Sequence, residues 1–398
     1  MSLAFGRGLR AIPGPSVMPD RVLAAMHRAA PNIYAGEIVD LTHHVLADLR
    51  RVAVTEAAPV IYIGNGHAAW EAALANLLAP GETALVLGTG RFGLGWAETA
   101  RRMGIRVEVM DFGFQAPFDP GMVEDRLRAD GEDRIRAVLT VQTDTASSVR
   151  NDIPALRRAM DAANHPALLA VDCIASLGCD RYEMDAWGVD VTLAACQKGL
   201  MTPPGLAYLW AGDRARAERR HAPSPYWDWE ARIDPEVFYL HFCGTPPTHH
   251  LYGQAEALRM ILDEEGLERV WTRHAVHARA VHAAVEAWGA WGSFALNMWD
   301  PYVRSNAVTT VRTASGEAGR LRDWCQRAAG LTLGVGLSGP NEDPDALFRI
   351  GHMGHLDPVM LLGALATIEA GLIATGIPHG TGAIAAAARV VAEAVPAM

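Results

Sequence analysis

Seven short apolar runs punctuate the first half of the chain, near residues 59–63, 83–87, 106–110, 137–141, 167–172, 189–194 and 206–210. Most are rich in Val, Ile, Leu and Ala with little polar alternation, the pattern of a strand covered on both faces, whereas 106–110 reads Arg-Val-Glu-Val-Met. Helical patterns separate them, and that βα rhythm predicts a mostly parallel seven-stranded sheet with helices on both sides. From about residue 256 the rhythm changes. A long helix is expected from Gln254 to Trp288, then a strand near 307–312, a helix over 316–329, a strand ending at Arg349, and helices over 358–375 and 379–395. The expected organisation is an N-terminal arm (1–20), a large domain (21–255) and a smaller α/β domain (256–398). The stretch 215–255, rich in proline and aromatics, is expected to connect the two or to form an interface.

Composition adds limits. A chain of 398 residues exceeds one ordinary core, in keeping with two domains. Half of the residues are hydrophobic and a fifth charged, a globular balance. A formal charge of −10 argues against nucleic acid or an anionic membrane as partner. The five cysteines (173, 179, 196, 243 and 325) form no C-x-x-C or metal-binding pattern, so no metal is expected. Their odd number and apolar surroundings point to a reducing cytoplasm. Arg7 and Arg10 near the N-terminus precede no apolar signal core. The apolar tract 358–378, interrupted by Glu369, glycines and Pro378, reads as amphipathic packing.

Candidate chemistry sits where apolar runs stop. The run from Val189 ends at Gln197-Lys198-Gly199, followed by Pro203-Pro204-Gly205. A lysine there either caps a strand or stands desolvated, with a lowered pKa and a nucleophilic amine. A neutral amine of that kind condenses with an aldehyde such as pyridoxal phosphate. The run Ala167 to Val171 ends at Asp172, 26 residues before the lysine. Alone, Asp172 reads as a turn residue. Paired with a strand-end lysine, it suits the ring nitrogen of a pyridoxal cofactor at the carboxyl edge of an α/β sheet. Pro59 to Ile63, then Gly64-Asn65-Gly66-His67, then an Ala-rich helix reads as strand, turn and helix N-terminus, a setting for a phosphate. It lacks the ending of a nucleotide P-loop and the third glycine of a dinucleotide fingerprint, so a phosphate monoester fits it better.

Together these motifs resemble the class V, fold-type I pyridoxal-phosphate aminotransferases of the alanine–glyoxylate and serine–glyoxylate branch. The resemblance runs from Pro13-Gly14-Pro15-Ser16 to Arg349-Ile350-Gly351-His352-Met353-Gly354, through Trp187-Gly188-Val189-Asp190-Val191, Tyr226-Trp227-Asp228-Trp229 and Thr245-Pro246-Pro247. It implies that Lys198 is the Schiff-base lysine and proton shuttle and that Asp172 pairs with the pyridine nitrogen. Gly66, His67 and Gln197 would contact the phosphate, Phe92 would stack on the cofactor ring, and Thr145 would reach its phenolic oxygen. Thr245 would come from a neighbouring subunit, implying a homodimer with a shared active site. Arg349 would clamp the substrate carboxylate, a task suited to a planar guanidinium. Serine or alanine would give its amino group to a 2-oxo acid, glyoxylate first among them.

Two segments depart from the family pattern. Asn32-Ile33-Tyr34-Ala35-Gly36-Glu37 replaces a His- and Arg-rich stretch, and Gln142-Thr143-Asp144-Thr145-Ala146-Ser147-Ser148 replaces His-Asn-Glu-Thr/Ser-Ser-Thr-Gly. Tyr34 resembles a pocket tyrosine of the pyridoxamine–pyruvate aminotransferases. Glu37 either favours a donor with a second ammonium or amide, or caps the next helix. Donors such as aspartate, ureidoglycine or pyridoxamine stay open, because these segments shape the pocket. Desulfurase or other lyase chemistry would need a mobile nucleophilic cysteine, whereas Cys325 falls in a predicted helix.

Overall fold

The computed structural model describes residues 2–339 and 342–395. Its first strand, β1 (Leu9–Ala11), belongs to a sheet completed only near the end of the chain. The large sheet comprises β2 (Ala58–Gly64), β3 (Thr83–Gly88), β4 (Arg106–Asp111), β5 (Ile135–Val141), β8 (Leu168–Asp172), β9 (Val191–Ala195) and β10 (Gly205–Ala211). Between β5 and β8 lies a small hairpin of β6 (Thr143–Asp144) and β7 (Val149–Arg150). All seven expected strands are present, in the spatial order β2-β10-β9-β8-β5-β3-β4. Only β10 runs antiparallel to its neighbours. This is the α/β architecture of fold type I.

Successive residues along each strand feed opposite cores. Ile61, Leu85, Val138, Leu169 and Tyr208 join the cluster on one face, while Val60, Ala84, Leu139, Ala170 and Leu209 join the other. Burial on both sides is why these runs lack polar alternation.

The second sheet has the order β1-β13-β14-β12-β11, adding β11 (Ala295–Leu296), β12 (Val308–Arg312), β13 (Leu331–Val335) and β14 (Leu347–Gly351). The N-terminal arm is therefore structural: β1 pairs in parallel with β13 across more than three hundred residues, Leu9 opposite Leu331. A three-residue strand whose partner lies at the other end of the chain gives no periodic signal. β13 was likewise absent from the expected elements.

The helix expected from Gln254 to Trp288 is interrupted. It runs as Thr248–Arg259, a π turn at Met260–Glu265, and a fresh helix Leu267–Gly289. Gly266 makes the break with φ of 85° and ψ of 134°, a conformation suited to glycine. The acids before it are pulled outward to separate arginines, Asp263 to Arg51, Glu264 to Arg21 and Arg259, and Glu265 to Arg273.

The tract near 358–378 also differs from its amphipathic reading. The helix Pro358–Thr375 packs Leu361, Leu365, Ile368 and Leu372 into the second core, yet Val359 and Ile373 stand 80% and 68% exposed on its outer side. It is long and apolar enough to cross a membrane, with a third of its residues buried against the rest of the chain. The five cysteines are free thiols, four of them buried; Cys243 is exposed, contrary to its apolar surroundings in sequence.

Gly266→Ala is expected to lower the free energy of unfolding by ~1–3 kcal/mol, measured by chemical denaturation, because open space around the position leaves backbone strain as the dominant cost.

Candidate active site

Carboxyl ends of parallel strands leave backbone groups and strand-end side chains pointing at one edge of a sheet, with helix N-termini beside them. Here that edge holds a cavity of about 200 Å³ lined by Gly66, His67, Trp70, Phe92, Thr145, Asp172, Gln197 and Lys198, together with Asn65, Val141, Thr143, Ile174 and Ala175. Seven residues singled out from sequence thus meet in one place. Arg349 reaches the same rim from the second sheet, donating from Nη1 to the carbonyl of Thr145 at 3.0 Å and from Nε to Val335 at 2.8 Å.

Asp172 ends β8 and is 2% exposed. Its Oδ1 accepts from the Ile174 amide and its Oδ2 from the Trp70 indole, both at 2.7 Å. Burial lifts its pKa to about 7 in spite of these two donors, with the Asp144 charge adding to the rise. Lys198 follows β9 by three residues, at the cavity wall. Its Nζ donates to the carbonyl of Pro13 at 2.5 Å. Burial, and then the Arg349 charge, lower its pKa to about 8. An acid and an amine titrating near neutrality in one cavity is the signature of a site built for proton transfer.

The phosphate end is made by the turn after β2. Asn65 caps the helix Gly66–Leu77, its side chain accepting from the His67 amide at 3.0 Å. A Cβ on Gly66 would fall 2.4 Å from Ile174 Cδ1, so glycine lets the turn lie close to the cavity floor without moving that side chain. His67 is exposed and its ring lies 4.5 Å from that of Trp70. Phe92 opens the next helix, Arg91–Arg102, and stands edge-on to Trp70 at 6.4 Å.

Three contributors were not singled out as site residues from sequence. Asp144, fully buried, accepts from the amides of Phe92, Gly93 and Ala146, and so fixes the Phe92 helix against the hairpin. Burial raises its pKa, against the pull of those amides and of Arg349. The N-terminal segment forms a second wall. Ser16 donates from its amide to the Gln197 carbonyl (2.9 Å) and from Oγ to the Lys198 carbonyl (2.7 Å), and a Cβ on Gly14 would collide with Lys198 Nζ. Trp70 was quoted only as part of a motif. The available signals were the Gly-Pro pair after Pro13 and an aromatic in an otherwise Ala-rich helix.

Two expected residues lie elsewhere. Tyr34 is 72% exposed and packs edge-on against Tyr239, and Thr245 is exposed; neither lines the Lys198 cavity of its own chain. Glu37 stands in the first turn of Glu37–Ala53 and pairs with Arg28 at 3.2 Å, the helix-start arrangement rather than a pocket one.

Comparison with known proteins agrees with this geometry. The family model of the class-V aminotransferases matches residues 20–337. The chain is 36% identical over 394 residues to the serine–glyoxylate aminotransferase of Methylorubrum extorquens, covering 96% of this chain and 95% of that protein. It is 33% identical over 386 residues to the L-aspartate–glyoxylate aminotransferase of Paracoccus denitrificans, covering 95% and 94%. In three dimensions it superposes on the pyridoxamine–pyruvate aminotransferase of Mesorhizobium loti with a TM-score of 0.86, at 26% identity over 98% of this chain and 99% of the other.

Lys198→Met is expected to stabilise the cofactor-free protein. A lysine whose folded pKa lies near 8 and unfolded pKa near 10.5 is destabilising wherever it is protonated in both states, so the gain is full below about pH 8 and gone above about pH 10.5. Thermal melts at pH 7 and pH 10.5 should differ by a gain on the order of 1–3 kcal/mol at the lower pH only.

Proposed function

The chain belongs to the class-V aminotransferase family, and from that premise we propose that it moves the amino group of a small amino acid, serine or alanine, to glyoxylate. It is a pyridoxal-phosphate transaminase by family. The observation that carries the proposal is the meeting of Lys198, Asp172 and the helix start at Gly66 around one cavity, with Arg349 at its rim.

The residues present fit that cofactor. The Gly66 cradle offers a helix N-terminus to a phosphate, with His67 and Gln197 beside it. At the opposite end a buried carboxylate awaits a protonated ring nitrogen, and Phe92 and Thr145 line the wall between. When bound, pyridoxal phosphate supplies an electron sink and carries the amino group between two half-reactions. The chain supplies the rest. Asp172, held by two donors, keeps a proton on the ring nitrogen. The Lys198 amine, neutral in a substantial fraction at neutral to mildly alkaline pH, takes a proton from the substrate Cα at Nζ and returns it one position away. Arg349 takes the substrate carboxylate on its guanidinium edge, so the reacting bond is oriented before the proton moves.

Tyr34 and Thr245, exposed on their own chain, would serve the site of a second copy, so the working form is a homodimer with shared sites. Four buried free thiols favour a reducing, cytoplasmic setting.

The test is a set of single half-reactions on the purified holoenzyme. Serine, alanine, aspartate and pyridoxamine are added separately while the visible band of the bound cofactor is followed. Serine or alanine is expected to bleach it, and glyoxylate but not 2-oxoglutarate to restore it. Failure of every donor, or sulfide release from cysteine, would overturn the assignment. Arg349→Lys is expected to raise KM for the amino donor by about 10–100-fold while changing kcat less, since one point charge replaces a bidentate clamp.

A further inference from the structure

Trp70 meets the strand-end acid, the exposed histidine and the wall phenylalanine together. Its indole N–H donates to Asp172 Oδ2 at 2.7 Å in the buried interior. Its ring stacks on Trp96 with 6.2 Å between centroids and 14° between planes, which holds the indole from behind. In front it meets His67 at 4.5 Å and the edge of Phe92 at 6.4 Å. Gly95 lies beside it, and even a Cβ there would make only ordinary contact, at 3.5 Å, with the outer ring carbons. Trp70 is itself 2% exposed. An indole N–H donates and never accepts, so its bond to the Asp172 oxygen favours the charged form.

We propose that Trp70 is a positioning residue for the cofactor: its N–H holds the Asp172 carboxylate charged and in a fixed rotation, with the remaining lone pairs directed at the pyridine nitrogen. This rests on the reading that Asp172 meets that nitrogen. The other groups facing Asp172 make the need clear. Asp144 from the hairpin disfavours its charge, Lys198 from the loop after β9 favours it, and the neighbouring Cys173 thiol is itself pushed well up by burial. Burial is the largest influence and works against the anion, so each donor aimed at it matters. The Ile174 amide comes from the same turn and orients only Oδ1, whereas Trp70 fixes the second oxygen from another element. A hydrogen bond to a charged acceptor in a dry site is the stronger kind.

The consequence can be read without turnover. Wild-type and Trp70→Phe proteins, freed of cofactor and of matching circular dichroism, are titrated with pyridoxal phosphate and with its 1-deaza analogue, in which C–H replaces the ring nitrogen. Wild type is expected to prefer the natural cofactor, and Trp70→Phe to shrink that preference by about tenfold while binding the analogue unchanged. Equal losses for both ligands would mean that Trp70 only shapes the wall, and would overturn the proposal. Wild type binding both ligands alike would instead overturn the role of Asp172, and the proposal with it. If Trp70→Phe does not fold, the indole ¹⁵N–¹H spectrum of labelled wild type is compared with that of Asp172→Asn. One indole resonance should shift strongly upfield, and a spectrum with every indole unmoved would overturn the contact.

Discussion

Burial of charge at the carboxyl edge of the large sheet is the constraint on which the rest of the structure depends. Asp172, Asp144, Lys198 and Arg349 stand within or beside one cavity, in surroundings that disfavour the charge of each. Isolated, any one of them would cost several kcal/mol. They are tolerated because charges of opposite sign stand near one another and hydrogen-bond partners are aimed at them. Amides of the Phe92 helix meet Asp144, an indole and an amide meet Asp172, and carbonyls of Thr145 and Val335 meet Arg349. The seven-stranded sheet, covered on both faces, is the rigid frame that keeps those donors in place.

Several contacts that hold the second sheet to that frame lie near the site. Arg349 spans from β14 to the hairpin, Asp180 accepts from Thr143 and Ser305, and Asn297 donates to the Ser147 carbonyl. Position of the second sheet and geometry of the substrate rim are therefore one variable. A shift of one sheet against the other moves the guanidinium relative to Asp172 by the same amount.

Much of the large sheet was legible in the sequence because its strands are continuous apolar runs, and because Asp172, Lys198 and Gly66 each sit where such a run stops. Those signals are local. Trp70 and Asp144 were not singled out because their partners lie 102 and 52 residues away, at Asp172 and Phe92. The Pro13 contact is a backbone carbonyl, which no residue type announces. Gly266 was passed over because helical periodicity continues on both sides of it, and only its positive φ and the outward pull on three acids break the helix. Exposure of Tyr34 and Thr245 was invisible for another reason: burial of a loop depends on what lies opposite, and that is not written in the loop.

The Pro13 carbonyl that receives Lys198 belongs to a segment anchored by β1, and β1 is anchored by β13. During synthesis the ribosome makes residues 9–11 more than three hundred residues before 331–335, so that wall stays open until β13 has emerged. Closing so long a loop is entropically slow. The lysine's carbonyl partner is thus fixed in place only after β13 is made, although it precedes β13 by more than three hundred residues. A nascent chain can assemble the large sheet and still hold a poorly walled amine, and the pairing of β1 with β13 is what shuts it.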